Sequence, residues 1–77
     1  MKIQVQLFGS LADHLPREAK GKATVKLSET SMVKDLLQEL SIKRRVAFAV
    51  NGEHDLEENH MLREGDEVLV FTSVSVG

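Results

Sequence analysis

Residues 33–40, which read VKDLLQEL, contain the longest stretch of helical periodicity in this chain of 77 residues. The apolar side chains of the stretch recur at positions i, i+3, i+4 and i+7, namely at Val33, Leu36, Leu37 and Leu40. That spacing places them on one face of an α-helix, so the segment predicts a single amphipathic helix with one buried stripe. Thr30 or Ser31 precedes the stripe, and we expect one of them to cap the helix by accepting a backbone N–H.

Strands are predicted on both sides of this helix. Residues 2–8 and 24–28 alternate polar and apolar side chains, which is typical of half-buried strands. After the helix, residues 46–50 form an apolar run of strand length, and residues 67–72 alternate again.

The connecting segments complete the predicted order. Residues 51–52, Asn-Gly, tolerate positive φ and predict a type I′ hairpin turn. Residues 53–64 are expected to hold a short return strand and an irregular or 3₁₀ segment around 59–62. Residues 9–22 lack a sustained period and predict a loop, with one helical turn at 11–15. The order β-β-α-β-(β)-β predicts an α+β fold, a mixed sheet of four to five strands with one main helix on one face.

Size and composition limit the classes of function. A chain of 77 residues forms one domain that buries only about 60% of its unfolded surface, so little remains to line a deep pocket. It contains no cysteine, which excludes disulfides and thiolate metal sites. No apolar run approaches the roughly 18 residues needed to span a bilayer, and the alternating start does not resemble a signal peptide. We therefore expect a cytoplasmic protein without membrane association.

Charge is unevenly distributed along the chain. Residues 1–50 carry nine Lys/Arg against five Asp/Glu, a net +4, whereas residues 51–77 carry one against seven, a net −6. The chain has no Trp or Tyr and only three Phe, so it lacks the basic face with aromatic platforms typical of nucleic-acid binders. A partner that contacts the acidic part should be basic.

Few residues suggest catalysis by the chain itself. His14, His54 and His60 lie far apart in sequence and are accompanied by no set of ligands at metal-binding spacing, so no metal is predicted. Glu57 and Glu58 are adjacent and do not converge on one point. A stand-alone enzyme is therefore not favoured.

Four stretches together resemble the MoaD/ThiS family of bacterial and archaeal sulfur carriers. They are MKIQVQLFGSL at residues 1–11, VKDLLQEL at 33–40, AVNGE at 49–53 and LREGDEVLVFTSVSVG at 62–77. The resemblance spans the whole chain and implies a ubiquitin-like β-grasp fold. We expect the β-grasp domain at residues 1–72 and a flexible C-terminal tail at 73–77, which contains no helix former and no anchor.

The resemblance implies that the chain carries sulfur on its own C-terminus. In this family a MoeB/ThiF-like adenylating enzyme uses ATP to convert the terminal carboxylate into an acyl-adenylate and then a thiocarboxylate. The thiocarboxylate supplies sulfur in molybdopterin-type or thiamin cofactor biosynthesis. The chain would then be a protein substrate with no bound cofactor, and a larger synthase subunit would be a further partner. Gly77 would supply the acyl group that the partner activates.

The last two residues bear on this chemistry. Gly77 has no Cβ, so nothing flanks its carboxylate and attack is unhindered. Val76 stands where the family usually has a penultimate Gly; its branched Cβ adds bulk but favours the extended backbone that entry into a cleft requires. The departure keeps an alternative open: an interaction module or ubiquitin-like modifier that has lost sulfur-carrier activity.

A docking surface is predicted next to the tail. Leu69 and Phe71 share one face of the last strand if Val68 and Val70 face the core, and Phe8 can join them. We predict partner-binding roles for six residues: Phe8, Leu69, Phe71, Val74, Ser75 and Val76. Scattered exposed apolar residues are also normal on any surface. The sulfur acceptor stays open among molybdopterin or tungstopterin, thiazole, cysteine synthesis and protein conjugation, although AVNGE and GDEV with a longer first loop favour the MoaD side.

Overall fold

The computed structural model describes residues 1–43 and 46–72, in which four strands form one mixed sheet covered on one face by an α-helix. The elements are β1 (Lys2–Leu7), β2 (Lys22–Lys26), α1 (Val33–Glu39), β3 (Ala47–Val50) and β4 (Glu67–Phe71). Two 3₁₀ segments, Gly9–His14 and Arg17–Ala19, connect β1 to β2. This is the predicted α+β arrangement, with four strands in the described residues.

The first and last strands lie side by side in the centre of the sheet, whose order is β2-β1-β4-β3. β1 pairs antiparallel with β2 and parallel with β4, and β3 pairs antiparallel with β4. Val5 of β1 is opposite Val68 of β4, so the centre of the sheet forms only when two distant parts of the chain meet.

The core lies between the sheet and α1. Alternate residues of the central strands face the helix, and their partners are the apolar stripe predicted from the sequence. The fully or nearly fully buried members are Ile3, Val5, Leu7, Val33, Leu36, Leu37, Val68 and Val70. Full burial of each such side chain contributes about 1.5–3 kcal/mol, so this layer provides most of the stabilisation.

The start of α1 differs from the prediction. The helix is capped at Met32, and the Asp35 carboxylate accepts the Met32 N–H at 2.8 Å from within the first turn. Neither Thr30 nor Ser31 is the N-cap. Ser31 is instead buried, with its carbonyl accepting the N–H of Leu62 and its hydroxyl 3.0 Å from that of Ser28. Because the Ser31 backbone pairs with Leu62, the N-cap lies one residue later, at Met32.

The second strand begins two residues earlier than predicted. Lys20 and Gly21 both have positive φ, 54° and 78°, and reverse the chain so that pairing with β1 starts at Lys22. Residues 53–64 contain no strand, and the predicted return strand is reduced to isolated bridges between Val50 and Glu53 and between Met32 and Met61.

The hairpin turn at Asn51-Gly52 is confirmed. Both residues have positive φ, 51° and 83°, as a type I′ turn requires. Val50 and Glu53 close it with two backbone hydrogen bonds, Val50 N–H to the Glu53 carbonyl at 3.1 Å and the reverse at 2.9 Å.

Asn51 and Asp66 tie this turn to the start of β4, an arrangement called the Asn51–Asp66 clasp below. The Asn51 side-chain amide donates to one Asp66 oxygen at 2.9 Å and accepts the Glu67 N–H at 2.9 Å. The other Asp66 oxygen accepts the Arg63 N–H at 2.8 Å, and the Asn51 N–H donates to the Glu67 carbonyl at 2.8 Å. The clasp thereby fixes the register of β3 against β4.

Gly21 provides a test of the turn before β2. At its φ of +78° an added Cβ would lie 2.5 Å from the Leu7 carbonyl oxygen. Gly21→Ala is therefore expected to lower the free energy of unfolding by at least about 2 kcal/mol, measured by urea denaturation. Gly9→Ala is the matched control, because φ is +59° but the space around it is open, and about 1 kcal/mol is expected. Equal losses in the two variants would contradict the close approach.

The clasp can be tested at Asp66. Asp66→Ala leaves the Asn51 amide and the Arg63 N–H without their acceptor, so a loss of about 1–3 kcal/mol of unfolding free energy is expected. Glu57→Ala removes an exposed carboxylate nearby in the chain and should change stability by less than about 0.5 kcal/mol. A similar result for both variants would show that the clasp does not stabilise the fold.

Candidate functional site

The predicted site residues divide into two groups. The structure describes Phe8, Leu69 and Phe71, whereas the predicted tail residues Val74, Ser75, Val76 and Gly77 lie outside the described residues. The predicted flexible tail at 73–77 lies outside them as well.

Leu69 and Phe71 lie on the side of the sheet that faces away from α1, which we call the outer face. In β4, Val68 and Val70 are fully buried against the helix, while Leu69 and Phe71 are half-buried. Because side chains alternate along a strand, the latter two share the outer face. The pleat thus places two fully buried valines on one face and two half-buried apolar side chains on the other.

Phe8 extends the outer face beyond the end of β1. It has extended backbone, with φ −111° and ψ 154°, and its N–H donates to the Val70 carbonyl at 3.1 Å. Gln6 is opposite Leu69 and Leu7 is opposite Val70 in the parallel register, so the next residue of each strand brings Phe8 level with Phe71. The Phe8 side chain is 40% exposed.

Two alanines of β3 complete the surface. Ala47 is opposite Phe71 and Ala49 is opposite Leu69, on the same side of the sheet. Ala49 is only 1% exposed although it does not belong to the core cluster, so the neighbouring outer-face side chains cover it. The apolar patch is defined by these five residues: Phe8, Ala47, Ala49, Leu69 and Phe71.

His54 borders the apolar patch, which the sequence did not indicate. Its ring packs edge-on against Phe71, with centroids 6.3 Å apart and planes at 63°. The turn at Asn51-Gly52 brings the chain back beside β3 and so delivers His54 to this margin. The sequence predicts the turn, but it does not predict the path of the chain after Glu53.

The apolar patch lies where the chain leaves the sheet. Phe71 is the last residue of β4, and Gly77 is six residues further along. An extended chain spans at most about 3.6 Å per residue, so Gly77 can lie no further than about 22 Å from Phe71. Any protein bound to the patch therefore has residue 77 within reach.

The described residues contain neither a metal cluster nor a membrane-spanning helix. In residues 1–43 and 46–72, no three His, Cys, Asp or Glu side chains are grouped closely enough to hold a metal ion. His14 is exposed and His60 half-buried, at separate places. Across the same residues, no helix has the length and apolar character to cross a membrane. The apolar patch, which can bind another protein by burying apolar area, is the leading candidate.

Comparison with solved structures finds close matches in fold. A protein assigned as molybdopterin converting factor subunit 1 from Pyrococcus furiosus has a TM-score of 0.78 at 24% identity, with 96% of this chain and 99% of that chain covered. Small archaeal modifier protein 1 from Haloferax volcanii has a TM-score of 0.76 at 19% identity, with 95% and 98% covered. One chain of the complex of subunits 1 and 2 of molybdopterin-converting factor from Helicobacter pylori has a TM-score of 0.63 at 21% identity, with 100% of this chain and 100% of that chain covered.

Comparison of sequences gives the family. A search of curated proteins found no significant match. The model of the ThiS family, however, matches residues 5–77, nearly the whole chain. Together with the ubiquitin-like β-grasp fold of the solved structures, this match supports a sulfur-carrier, ubiquitin-like role, that of a small carrier rather than an enzyme. The chain belongs to the ThiS family.

Proposed function

We propose that this chain is a sulfur-carrier protein whose C-terminal Gly77 carboxylate is adenylated and then thiocarboxylated by a partner enzyme. The sulfur is transferred in the biosynthesis of a molybdopterin-type cofactor or of thiamin. The observation that carries the proposal is the position of the apolar patch. In this chain, which belongs to the ThiS family, the patch lies directly beside Phe71, the last residue of the sheet before the tail.

The chemistry follows from the weakness of a carboxylate as an acyl donor. An oxygen of the Gly77 carboxylate attacks the α-phosphorus of ATP, and pyrophosphate leaves with the electrons of the broken P–O bond. Sulfur at the oxidation level of sulfide then attacks the acyl carbon and displaces AMP, which yields the thiocarboxylate. Both steps take place in the partner, which binds the ATP; the chain itself binds no cofactor.

The scaffold contributes proximity. β1 and β4 pair in the centre of the sheet, so Phe8 and Phe71 are held on the same rigid surface from which the tail departs. Docking of the apolar patch converts the encounter of carboxylate and ATP into an event within one complex, which raises their effective concentration.

Two partners are proposed. The first is an adenylating enzyme of the MoeB/ThiF type, in the cytoplasm. The second is a larger synthase subunit, by analogy with the Helicobacter pylori protein, whose subunits 1 and 2 form a complex. Both would use the apolar patch together with Val74, Ser75 and Val76, so we expect them to bind in turn and not together.

A second candidate function is a ubiquitin-like modifier or interaction module without sulfur-carrier activity. Val76 in place of the usual penultimate Gly favours it. So does the likeness in fold to small archaeal modifier protein 1. In that case the same patch would dock a partner, but no thiocarboxylate would form on Gly77.

Activation of the tail separates the two candidates. The chain incubated with the MoeB/ThiF-type enzyme of its own organism and ATP is expected to gain the mass of an acyl-adenylate, and with a sulfide donor that of a thiocarboxylate. A variant truncated after Val76 is the control and should gain neither, because its new terminal carboxylate is flanked by a branched side chain. No product from the natural chain, with product from Val76→Gly, would favour the second candidate.

Binding through the apolar patch can be tested at Phe8. Phe8→Ser is expected to weaken binding to the same enzyme by about tenfold, since exposed aromatic residues are frequent hot spots. Unfolding free energy should change by less than about 1 kcal/mol, because the ring is 40% exposed. Met61→Ser is the matched control: Met61 is 48% exposed but pairs with Met32 before α1, away from the patch. Equal effects of the two substitutions would refute docking at the patch.

A further inference from the structure

Three lysines occupy the β2 side of the outer face. Even-numbered residues of β1 share this face with Phe8, and the register places Lys26, Thr24 and Lys22 of β2 opposite Lys2, Gln4 and Gln6. All three lysines are exposed. We call Lys2, Lys22 and Lys26 the cationic margin.

The arrangement of the cationic margin opposes folding. Lys2 and Lys26 are directly opposite each other across two antiparallel strands, and like charges in that position are destabilising. The side-chain hydrogen bonds of the described residues include none from these three ammonium groups. The nearby Glu64 carboxylate accepts the backbone N–H of Lys2 at 3.0 Å. The lysines are therefore not explained by the stability of the domain.

Protection of an exposed sheet edge explains only part of the pattern. Lysines on an edge strand discourage pairing with another chain, and β2 is an edge strand. Protection of the β2 edge therefore accounts for Lys22 and Lys26. Lys2 lies on β1, which is paired on both sides, so a charge there protects no edge.

The cationic margin is continuous with the apolar patch. A shallow depression of about 320 Å³ lies between them, with Lys22 on one side and Leu69 on the other. Gln4 and Gln6 form its base, and Glu67 lines the β4 side. A protein that covers the apolar patch must therefore also approach Lys22.

We propose that the cationic margin docks an acidic band on the adenylating enzyme that takes the tail, next to the site where that enzyme receives the apolar patch. The inference rests on the proposed function and adds the charge that the partner must carry. The margin is basic while residues 51–77 carry a net −6, so charge complementarity favours encounters in which the acidic band meets the lysines.

An acidic protein surface is favoured over nucleic acid as the occupant. Both would attract the lysines, but only a protein offers apolar side chains to cover Leu69 and Phe71. Glu67 lies on the outer face as well, and would repel a phosphate backbone laid across it.

The test is the association rate with the purified MoeB/ThiF-type enzyme, measured by stopped-flow fluorescence without ATP. Lys22→Glu and Lys26→Glu are each expected to slow association by about 3- to 10-fold at low salt, because complementary charge acts mainly on encounter. Lys34→Glu is the matched control, since it makes the same charge change at an exposed site on α1; less than about a twofold effect is expected. The difference in association rate between these variants and the natural chain should shrink at about 0.5 M salt, where charges are screened within a few ångströms.

A second readout guards against misfolding. Lys26→Glu replaces the like-charge pair with Lys2 by an opposite-charge pair, so its Tm is expected to rise by a few degrees while its association slows. Equal effects of the three substitutions on the rate, no binding of the natural chain, or tighter binding of a single-stranded RNA oligonucleotide than of the enzyme would each overturn the inference. Lysine-dependent binding without any adenylate would support the inference and defeat the proposed sulfur chemistry.

Discussion

The parallel pairing of β1 with β4 is the contact on which the rest of the molecule depends. It places Val5 opposite Val68. At one end of the pairing the Gly65 N–H donates to the Lys2 carbonyl, and at the other end the Phe8 N–H donates to the Val70 carbonyl. One face of the pair supplies the buried layer beneath α1. The other face brings residues from both ends of the chain together as one surface. In the proposed function, this surface is the rigid base from which the terminus enters the cleft of the partner.

Local pattern predicted the elements that local forces determine. The apolar stripe of α1, the Asn51-Gly52 turn and the alternation of β4 depend on spacing and backbone preference within a few residues. The N-cap at Met32 and the start of β2 at Lys22 could not be predicted, because pairing with distant strands decides them. In the candidate site, alternation predicted that Leu69 and Phe71 share one face, and the position of Phe8 at the end of β1 places it beside them; their partner-binding role stays a prediction. His54 was missed because its contact with Phe71 depends on the irregular path of the chain after the turn.

The motifs that carry the family resemblance have a structural explanation. AVNGE and GDEV contain Asn51 and Asp66, whose side chains bond to each other and to the backbone at the start of β4. These residues set the register that positions the apolar patch. In the proposed function, the chemistry belongs instead to the Gly77 carboxylate. The resemblance in AVNGE and GDEV therefore reflects residues that stabilise the fold. The proposed reaction depends on the C-terminus, six residues beyond Phe71 of the apolar patch.

The most direct measurement is the intact mass of the chain isolated from the cells that produce it, before and after treatment with an alkylating reagent. The chain contains no cysteine, so a thiocarboxylate would be its one strongly nucleophilic sulfur. The account predicts a fraction in which one oxygen of the Gly77 carboxylate is replaced by sulfur, and uptake of one alkyl group by that fraction alone. A chain that carries only an unmodified carboxylate and takes up no alkyl group, even when cofactor synthesis is active, would contradict it.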